Sequence, residues 1–240
     1  MLINSGSKLS QKVRLALIIS VVCALIIAFT VFAITLLFKK KYAAKFINPK
    51  EESELAKLKL ENPNYGIVLT GIKKFYTATE DDFFVAFIIN SIYLNKYTNI
   101  LSNTRADYLP ISISTLANNC TVNILDSNLK EKKIDFVKTE IENLDEKNLK
   151  YIRQIVSDKK YDMIVSLDKT VSISNNILNF KEYLSDKGML IINMNNLREL
   201  KEQKNAILAN NFRYETIKFH HENVIILAKN ENMSEIAKTN

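Results

Sequence analysis

The sequence predicts an α/β domain built on a mostly parallel sheet, with one transmembrane helix before it. Three observations support this prediction: a long uncharged run near the amino terminus, strand patterns that alternate with helix patterns, and a closing hairpin pattern. Alternating strands and helices are typical of parallel sheets, because each helix returns the chain to the start of the next strand. The hairpin should add an antiparallel pair at the end of the sheet.

The uncharged run is Leu15–Phe38, 24 residues without Asp, Glu, Lys or Arg. At 1.5 Å per residue a helix over this run is about 36 Å long, against a hydrocarbon core of about 30 Å. A secretory signal has an apolar region of only about 7–15 residues and a small-residue cleavage site, and this run has neither. We therefore expect a single-pass protein of the cell membrane that contacts the lipid bilayer through Leu15–Phe38.

The net charge of +7 belongs to the amino-terminal region and not to the domain. Residues 1–50 hold eight of the 33 basic residues and no acidic residue, which leaves 25 basic against 26 acidic residues in the remainder. A domain that binds nucleic acid carries its positive charge on the folded module. The charge distribution therefore argues against a nucleic-acid partner.

The domain is expected on the cytoplasmic side of the membrane. Four lysines follow the apolar run within a few residues (Lys39, Lys40, Lys41, Lys45), and three basic residues precede it. Basic residues favour the cytoplasmic end of a span. Cys120 is the lone cysteine of the domain and cannot form a disulfide within it, which agrees with a reducing compartment.

These boundaries divide the chain into five segments. They are a short basic amino terminus (1–14), the transmembrane helix (15–38), a basic juxtamembrane segment and spacer (39–64), the α/β domain (65–230) and a flexible tail (231–240).

Within the domain, apolar periodicity predicts the individual elements. Predicted strands are Tyr97–Leu101, Thr121–Leu125, Ile134–Val137, Tyr161–Leu167, Met189–Ile192, and the hairpin Arg213–Phe219 with Val224–Ala228. Predicted helices are Lys50–Leu60, one after a capping box at Thr79, Ile111–Leu116, one from Asp145 through Leu149, Ile152 and Val156, one through Ile173, Ile177, Phe180 and Leu184, and one from Leu197 to Leu208 closed by Asn210-Asn211.

Three segments then resemble a known family. Tyr161–Asp168 (YDMIVSLD), Leu184–Asn193 (LSDKGMLIIN), and Asn210–Glu215 (NNFRYE) followed by Val224–Lys229 occur in the order of the carboxyl-terminal motifs of class I S-adenosylmethionine-dependent methyltransferases. The resemblance covers about residues 79–230. It implies a Rossmann-like sheet and S-adenosylmethionine as the cofactor.

The resemblance also implies cofactor-binding residues. Ser102, Asn103 and Thr104, in the loop after the first strand, would line the amino-acid end of the cofactor, and Asp126 would hold the ribose hydroxyls. Asp126 fits equally well as part of a polar turn. The seven residues between Asp126 and Ile134 predict a shortened second helix and a reduced adenine pocket.

The loop at 102–107 has no glycine, whereas the family's loop is glycine-rich; the four glycines of the chain are Gly6, Gly66, Gly71 and Gly188. If two or three loop positions require positive φ, side chains there would cost about 3–5 kcal/mol of binding. A cofactor that otherwise has a micromolar Kd would then have a Kd close to millimolar.

For catalysis, the resemblance points to Asp168, which follows the fourth strand where the family often places a reactive or metal-binding group. Asp168 also suits a helix cap. Cation-dependent members have Asp-Asn after the fifth strand, whereas Asn193-Met194 stands here, so no metal site is expected. His220-His221 fall in the hairpin turn and lack a third ligand nearby in sequence.

Two functional hypotheses follow. One is a membrane-anchored S-adenosylmethionine-dependent methyltransferase that acts on a lipid or a membrane protein. The alternative is a catalytically inactive relative that has lost the cofactor and serves as an interaction or scaffold protein at the membrane. Beside these two main hypotheses, the domain could bind another nucleotide ligand. The sequence assigns neither the substrate nor the oligomeric state.

Overall fold

The computed structural model describes residues 11–43, 49–76, 79–104, 106–117, 119–125, 148–195 and 197–230. The chain forms two compact units, Met1–Ile47 and Asn48–Asn240. The predicted strand Ile134–Val137, the shortened helix before it and the tail 231–240 lie outside the described residues.

The first unit contains one long helix, α1 (Gln11–Ala43). Its stretch Leu15–Ile34 is long and apolar enough to cross a bilayer, and none of this stretch is buried within the protein. The hydroxyl groups of Ser20 and Thr30 donate to main-chain carbonyls of the preceding turn, at Leu17 and Ile26. Both hydroxyl donors are therefore satisfied within the helix itself.

The second unit is built on a mixed sheet. Among the described residues, seven strands form it in the order β3-β2-β1-β4-β5-β7-β6. Their bounds are β1 Asn99–Asn103, β2 Thr121–Leu125, β3 Leu149–Ile152, β4 Tyr161–Ser166, β5 Leu184–Asn193, β6 Phe212–Lys218 and β7 Asn223–Lys229. Strands β1 to β5 are parallel, and β7 is antiparallel to both β5 and β6. The predicted parallel sheet with an antiparallel hairpin is confirmed.

Helices cover both faces of this sheet. Their bounds are α2 Glu51–Glu61, α3 Tyr65–Lys73, α4 Asp82–Asn95, α5 Tyr108–Leu116, α6 Ile173–Phe180 and α7 Leu197–Ala209. Helix α7 ends as predicted, because Asn211 adopts the left-handed conformation at φ 63°.

The alternation of side chains along the central strands creates two cores. Met163 and Val165 pack with buried residues of α2 to α5, whereas Ile164, between them, packs with α6 and α7. Ile191 and Ile192 of the neighbouring strand divide in the same way. A buried strand therefore needs apolar residues at successive positions, which is the pattern that made β4 and β5 recognisable in the sequence.

The prediction of a helix through Leu149 and Ile152 is wrong. These residues form β3, which runs parallel to β2 with Leu149 opposite Val122 and Ile152 opposite Leu125. Ile152 and Val156 follow Leu149 by three and seven positions, a spacing that fits a helix. Tyr151 and Ile152, however, also favour a strand. The exposed edge of β2 supplies hydrogen-bond partners that the local pattern does not reveal.

Other differences concern element boundaries. Helix α3 was not predicted, because Gly66 and Gly71 lower its helical propensity; it forms because Leu69 and Ile72 are buried. The cap of α4 is Asp81 and not Thr79, since the Asp81 side chain accepts from the backbone N–H of Phe83. Leu184, predicted in a helix, opens β5.

Truncation of the central strands should lower the stability of the α/β unit. Ile164 and Ile191 are fully buried on adjacent strands. Ile164→Ala and Ile191→Ala should each lower the free energy of unfolding by about 2–5 kcal/mol, because each leaves a cavity in a packed core. Urea unfolding of the full chain in detergent, followed by circular dichroism, measures this loss. Leu178→Ala, at a side chain that is 58 % exposed, is the control and should cost less than about 0.5 kcal/mol. Losses of this small size at both buried sites would contradict the strand assignments.

Candidate functional site

A cavity of about 270 Å³ lies at the edge of the sheet where the parallel strands end. The chain segments at the ends of β1, β4 and β5 line it with Ala106, Leu167, Lys169 and Asn193. Strands β1 and β4 are neighbours, and the strand order reverses between them. In open α/β sheets this reversal opens a crevice where ligands bind.

Two further segments complete the walls of the cavity. Thr79 and Glu80 precede α4, and Glu222 lies in the turn between β6 and β7. The Asp81 carboxylate joins these segments: Oδ1 accepts from the N–H of Phe83 at 3.0 Å and Oδ2 accepts from the N–H of His220 at 3.1 Å. The start of α4 and the hairpin turn are therefore fixed to each other.

Aromatic packing holds the same turn against α4. The Phe219 ring is 4.7 Å from Phe83, 5.0 Å from Phe84 and 5.5 Å from Phe87, measured between ring centroids. The Phe219 N–H also donates to the Glu222 carbonyl at 2.8 Å, which closes the turn. This packing places the Glu222 side chain at the cavity.

Asn193 has an oriented side chain with an unused acceptor. The residue is 3 % exposed, and its Nδ2 donates to the Glu222 carboxylate. The Nδ2 is the donor atom of the Asn193 amide, so it faces the Glu222 oxygen and the Oδ1 points away from it. Oδ1 is buried and has no hydrogen-bond partner among the described residues. Such an atom is costly unless a ligand or solvent donor reaches it.

Glu80 is the second acceptor of this kind. Its Oε2 is buried and has no hydrogen-bond partner within the described part of the chain. Burial, followed by repulsion from Glu222 and Asp107, raises the pKa of Glu80 to about 7, although a hydrogen bond from its own backbone N–H acts in the opposite direction. Glu80 thus changes its charge near neutral pH.

Ser102 and Asn103 are the last two residues of β1 and Thr104 follows it, whereas the sequence predicted all three in the loop after the strand. Their side chains are engaged in internal hydrogen bonds: Asn103 Nδ2 donates to Ser166 Oγ at 3.1 Å, and Thr104 Oγ1 donates to the Ala106 carbonyl at 2.8 Å. Ser102 is fully buried, with its Oγ 3.3 Å from Thr104 Oγ1. The loop is therefore held by its own side chains and by the end of β4.

The expected strain in this loop does not occur at its described positions. Positive φ at non-glycine residues is found in the described ranges at Lys96 and Asn211, and neither belongs to the loop. Asp107, for example, has φ −84°. The expected loss of about 3–5 kcal/mol in cofactor-binding free energy assumed left-handed residues in this loop. Residues 102–104, 106 and 107 are not left-handed, so they give no reason to expect that loss.

The two predicted acidic residues have different outcomes. Asp126 lies outside the described residues. Asp168 follows β4, and its Oδ1 accepts from the backbone N–H and the hydroxyl of Thr170, at 2.9 and 2.7 Å. It closes this turn, whereas Ser172 caps α6. The cavity is lined by its sequence neighbours Leu167 and Lys169.

Both ring nitrogens of His220 lie next to carboxylates. Its Nδ1 lies 2.9 Å from Asp81 Oδ2, and its Nε2 lies 3.2 Å from Glu51 Oε2. Across the described ranges, no group of three or more His, Cys, Asp or Glu side chains is arranged to hold a metal ion.

The sequence did not identify Glu80, Asn193 or Glu222 as site residues. Glu80 fitted a helix start, Asn193 served as an argument against a metal, and Glu222 fitted a hairpin turn. One signal was present: each lies at an element terminus on the carboxyl edge of the predicted sheet, where ligand-binding residues concentrate.

The raised pKa of Glu80 predicts a stability that depends on pH. The unfolded carboxyl ionises near 4.5 and the folded one near 7, so the free energy of unfolding falls as pH rises through this window. Glu80→Gln removes this loss, and the variant should be more stable than the parent above pH 7 by about 1–3 kcal/mol. Below pH 4.5 the two proteins should have nearly equal stability. Urea unfolding of the full chain in detergent at pH 4 and pH 8 measures the difference.

Glu182→Gln is the matched control, because Glu182 is exposed just before β5, at the opposite edge of the sheet. The same dependence on pH in parent, Glu80→Gln and control would contradict the assignment.

Comparison with known proteins gives matches in structure alone. No protein-family model and no curated protein sequence matches this chain. A candidate caffeoyl-CoA O-methyltransferase from Staphylococcus aureus is similar with a TM-score of 0.55 at 15 % identity, over 74 % of this chain and 98 % of its own. The SAH-bound methyltransferase PaMTH1 from Podospora anserina has a TM-score of 0.54 at 9 % identity, over 75 % of this chain and 95 % of its own.

A SAM-dependent O-methyltransferase from Thermotoga maritima is similar with a TM-score of 0.51 at 12 % identity, over 65 % of this chain and 68 % of its own. At such identities the likeness concerns the fold, which hosts sites of different chemistry. The α/β unit of this chain therefore has the fold of the class I S-adenosylmethionine-dependent methyltransferases.

Proposed function

We propose that this chain is a membrane-anchored methyltransferase that uses S-adenosylmethionine and acts on a lipid or a membrane protein at the bilayer. The observation that carries the proposal is the cavity at the β1–β4 reversal, in a fold shared with S-adenosylmethionine-dependent enzymes. In this class of sheet, ligands bind at that reversal.

The residues after β1 are compatible with the cofactor. Among the described loop residues, Ala106 lines the cavity, and its side chain is a single methyl group, so the main chain stays within reach of a ligand. Ser102, Asn103 and Thr104 would hold the amino-acid end, and Asp126 would hold the ribose hydroxyls. Bound there, S-adenosylmethionine supplies the methyl group.

The anchor restricts the substrates that the domain can reach. Helix α1 has the length and composition of a membrane span, and the α/β unit begins at Asn48, a few residues after it. A tethered enzyme meets substrates of the same membrane at a high effective concentration. Asp168 stays our candidate for a group near the transferred methyl, since its neighbours Leu167 and Lys169 line the cavity.

Cofactor binding distinguishes the enzyme from a scaffold. Isothermal titration calorimetry on the full chain in lipid nanodiscs should give a Kd for S-adenosylmethionine between about 10 µM and 1 mM. Asp126→Ala should weaken binding about ten- to a hundredfold, because a hydrogen bond to a charged group contributes about 1.5–3 kcal/mol.

Asp158→Ala is the matched control, since Asp158 is an exposed acidic residue before β4, at the opposite edge of the sheet. Equal affinities in Asp126→Ala and the parent would show that the ribose site is elsewhere. No binding at millimolar cofactor would reject the methyltransferase and favour the scaffold.

The orientation of the chain can be tested separately. Because Lys39, Lys40 and Lys41 follow the span, the domain should lie in the cytoplasm. A tag with a protease cleavage site at the carboxyl terminus should resist added protease in intact cells and be cleaved in inverted membrane vesicles. The same tag at the amino terminus should be cleaved in intact cells and protected in the vesicles. Cleavage of the carboxyl-terminal tag in intact cells would contradict the cytoplasmic orientation.

A further inference from the structure

Strand β6 forms one edge of the sheet, since among the described residues it pairs with β7 alone. At the two ends of this hairpin, the N–H of Phe219 donates to the Glu222 carbonyl and the N–H of Asn230 donates to the Asn211 carbonyl. Hydrogen-bonded and non-bonded residues alternate in an antiparallel pair, so the odd-numbered residues of β6 bond to β7. The main-chain groups of the even-numbered residues therefore point away from β7 (Phe212, Tyr214, Thr216, Lys218).

These outward groups are available to a further strand. Within the described ranges, the N–H and carbonyl groups of the four residues make no hydrogen bond to a loop, a helix or a side chain. Strand β6 also has seven residues, no proline and no bulge in its pairing with β7. A regular edge of this kind is a template on which another strand can pair.

The side chains of β6 alternate between the two faces of the sheet. Ile217 packs in the core that contains α4, and Tyr214 packs against the core that contains α6 and α7. Arg213 and Glu215 are an even number of positions from Ile217, so they lie on the α4 face. Arg213 is exposed and Glu215 is half-buried. Neither side chain has an ion-pair or hydrogen-bond partner in the part of the chain that the structure describes.

The two charges identify a second copy of β6 as the strand that fits this edge. If two copies pair in antiparallel fashion with Tyr214 opposite itself, the outward main-chain groups of both strands meet. Arg213 of each copy then lies directly opposite Glu215 of the other, where opposite charges stabilise the pair. A register centred on Glu215 would set the two Glu215 carboxylates against each other, and one centred on Thr216 would set Glu215 against Ile217.

We propose that the protein forms a two-fold dimer in which the β6 strands of two copies pair in antiparallel fashion around Tyr214. Two Arg213–Glu215 ion pairs form on the α4 face, and the two Tyr214 side chains meet on the opposite face. The joined sheet contains the seven described strands of each copy. One kind of charge on an edge strand opposes self-pairing, whereas opposite charges two residues apart select this register.

The symmetry of the dimer agrees with the proposed membrane anchor. The two-fold axis of an antiparallel strand pair is perpendicular to the sheet, so the two copies present the same face on the same side. Helix α2, the first helix of the α/β unit, packs on the α4 face through Leu58. Both copies therefore carry α2 on one side of the joined sheet. Anchors in a single membrane would also hold the two copies at a high effective concentration.

Single cysteines test the register. The full chain with Cys23→Ser, which removes the exposed cysteine of α1, is reconstituted in phosphatidylcholine vesicles and oxidised with copper phenanthroline. Tyr214→Cys should form a disulfide-linked dimer, because its two Cα atoms lie about 5.5 Å apart across the two-fold axis. Thr216→Cys is the matched control and should stay monomeric, since this register separates its Cα atoms by about 14 Å.

Two results of this experiment would overturn the proposal. One is the absence of a disulfide-linked dimer in Tyr214→Cys. The other is a dimer that is as abundant in Thr216→Cys as in Tyr214→Cys, because the register would then differ from the proposed one.

Charge reversal in the Tyr214→Cys protein tests the ion pairs. Arg213→Glu and Glu215→Arg should each lower the rate of disulfide formation at least about fivefold, because like charges then lie opposite each other at two places in the dimer. The combined variant Arg213→Glu/Glu215→Arg restores both pairs, and its rate should be within about twofold of the unreversed protein. Arg153→Glu, at an exposed arginine after β3 on the other edge of the sheet, is the control and should leave the rate unchanged.

Mixing the two single charge variants separates pairing from folding. When Arg213→Glu and Glu215→Arg proteins are reconstituted together in equal amounts, each copy supplies the charge that the other lacks, so disulfide formation should recover. A variant that had merely lost its fold would not recover on mixing. A loss of cross-linking that neither mixing nor the combined variant reverses would overturn the dimer.

Discussion

The cavity depends on one carboxylate, that of Asp81. Its two oxygens serve segments that are 139 residues apart, because one caps α4 and the other accepts from the main chain of the β6–β7 turn. Glu80 and Glu222 lie next to these two contacts and so face the same space. Neither acidic residue would be placed by its own local structure, since one precedes a helix and the other belongs to a turn. The wall of the site is thus a tertiary feature, which the Asp81 contacts and the packing of Phe219 against α4 stabilise together.

The loop after β1 shows a second way to build this edge of the sheet. Related folds use glycines there, whereas this chain uses polar side chains that bond to one another and to Ser166 of β4. The Leu167 N–H donates to the Asn103 carbonyl at 3.1 Å and extends the connection between the two strands. These side chains are therefore already engaged before a ligand arrives, and they connect the loop to the end of β4.

Sequence reasoning succeeded where local pattern and tertiary structure agree. The successive apolar residues of β4 and β5 and the asparagine cap after α7 predicted the fold, because a strand buried on both faces and a left-handed helix end leave direct marks in the sequence. It failed at Leu149–Ile152, where apolar spacing suits either a helix or an edge strand. It also missed the acceptors of the cavity, because Glu80, Asn193 and Glu222 come together there from segments far apart in sequence.

The position of that hairpin in the chain has a consequence for biosynthesis. Glu222 and Phe219 lie in the turn between the last two described strands, so they leave the ribosome after every other wall of the cavity has been made. The apolar helix α1 emerges first. A nascent chain therefore presents this apolar helix long before it has a closed binding site. Ligand can stabilise only a state that binds it, so it offers no help to the earlier intermediates and acts on the completed protein alone.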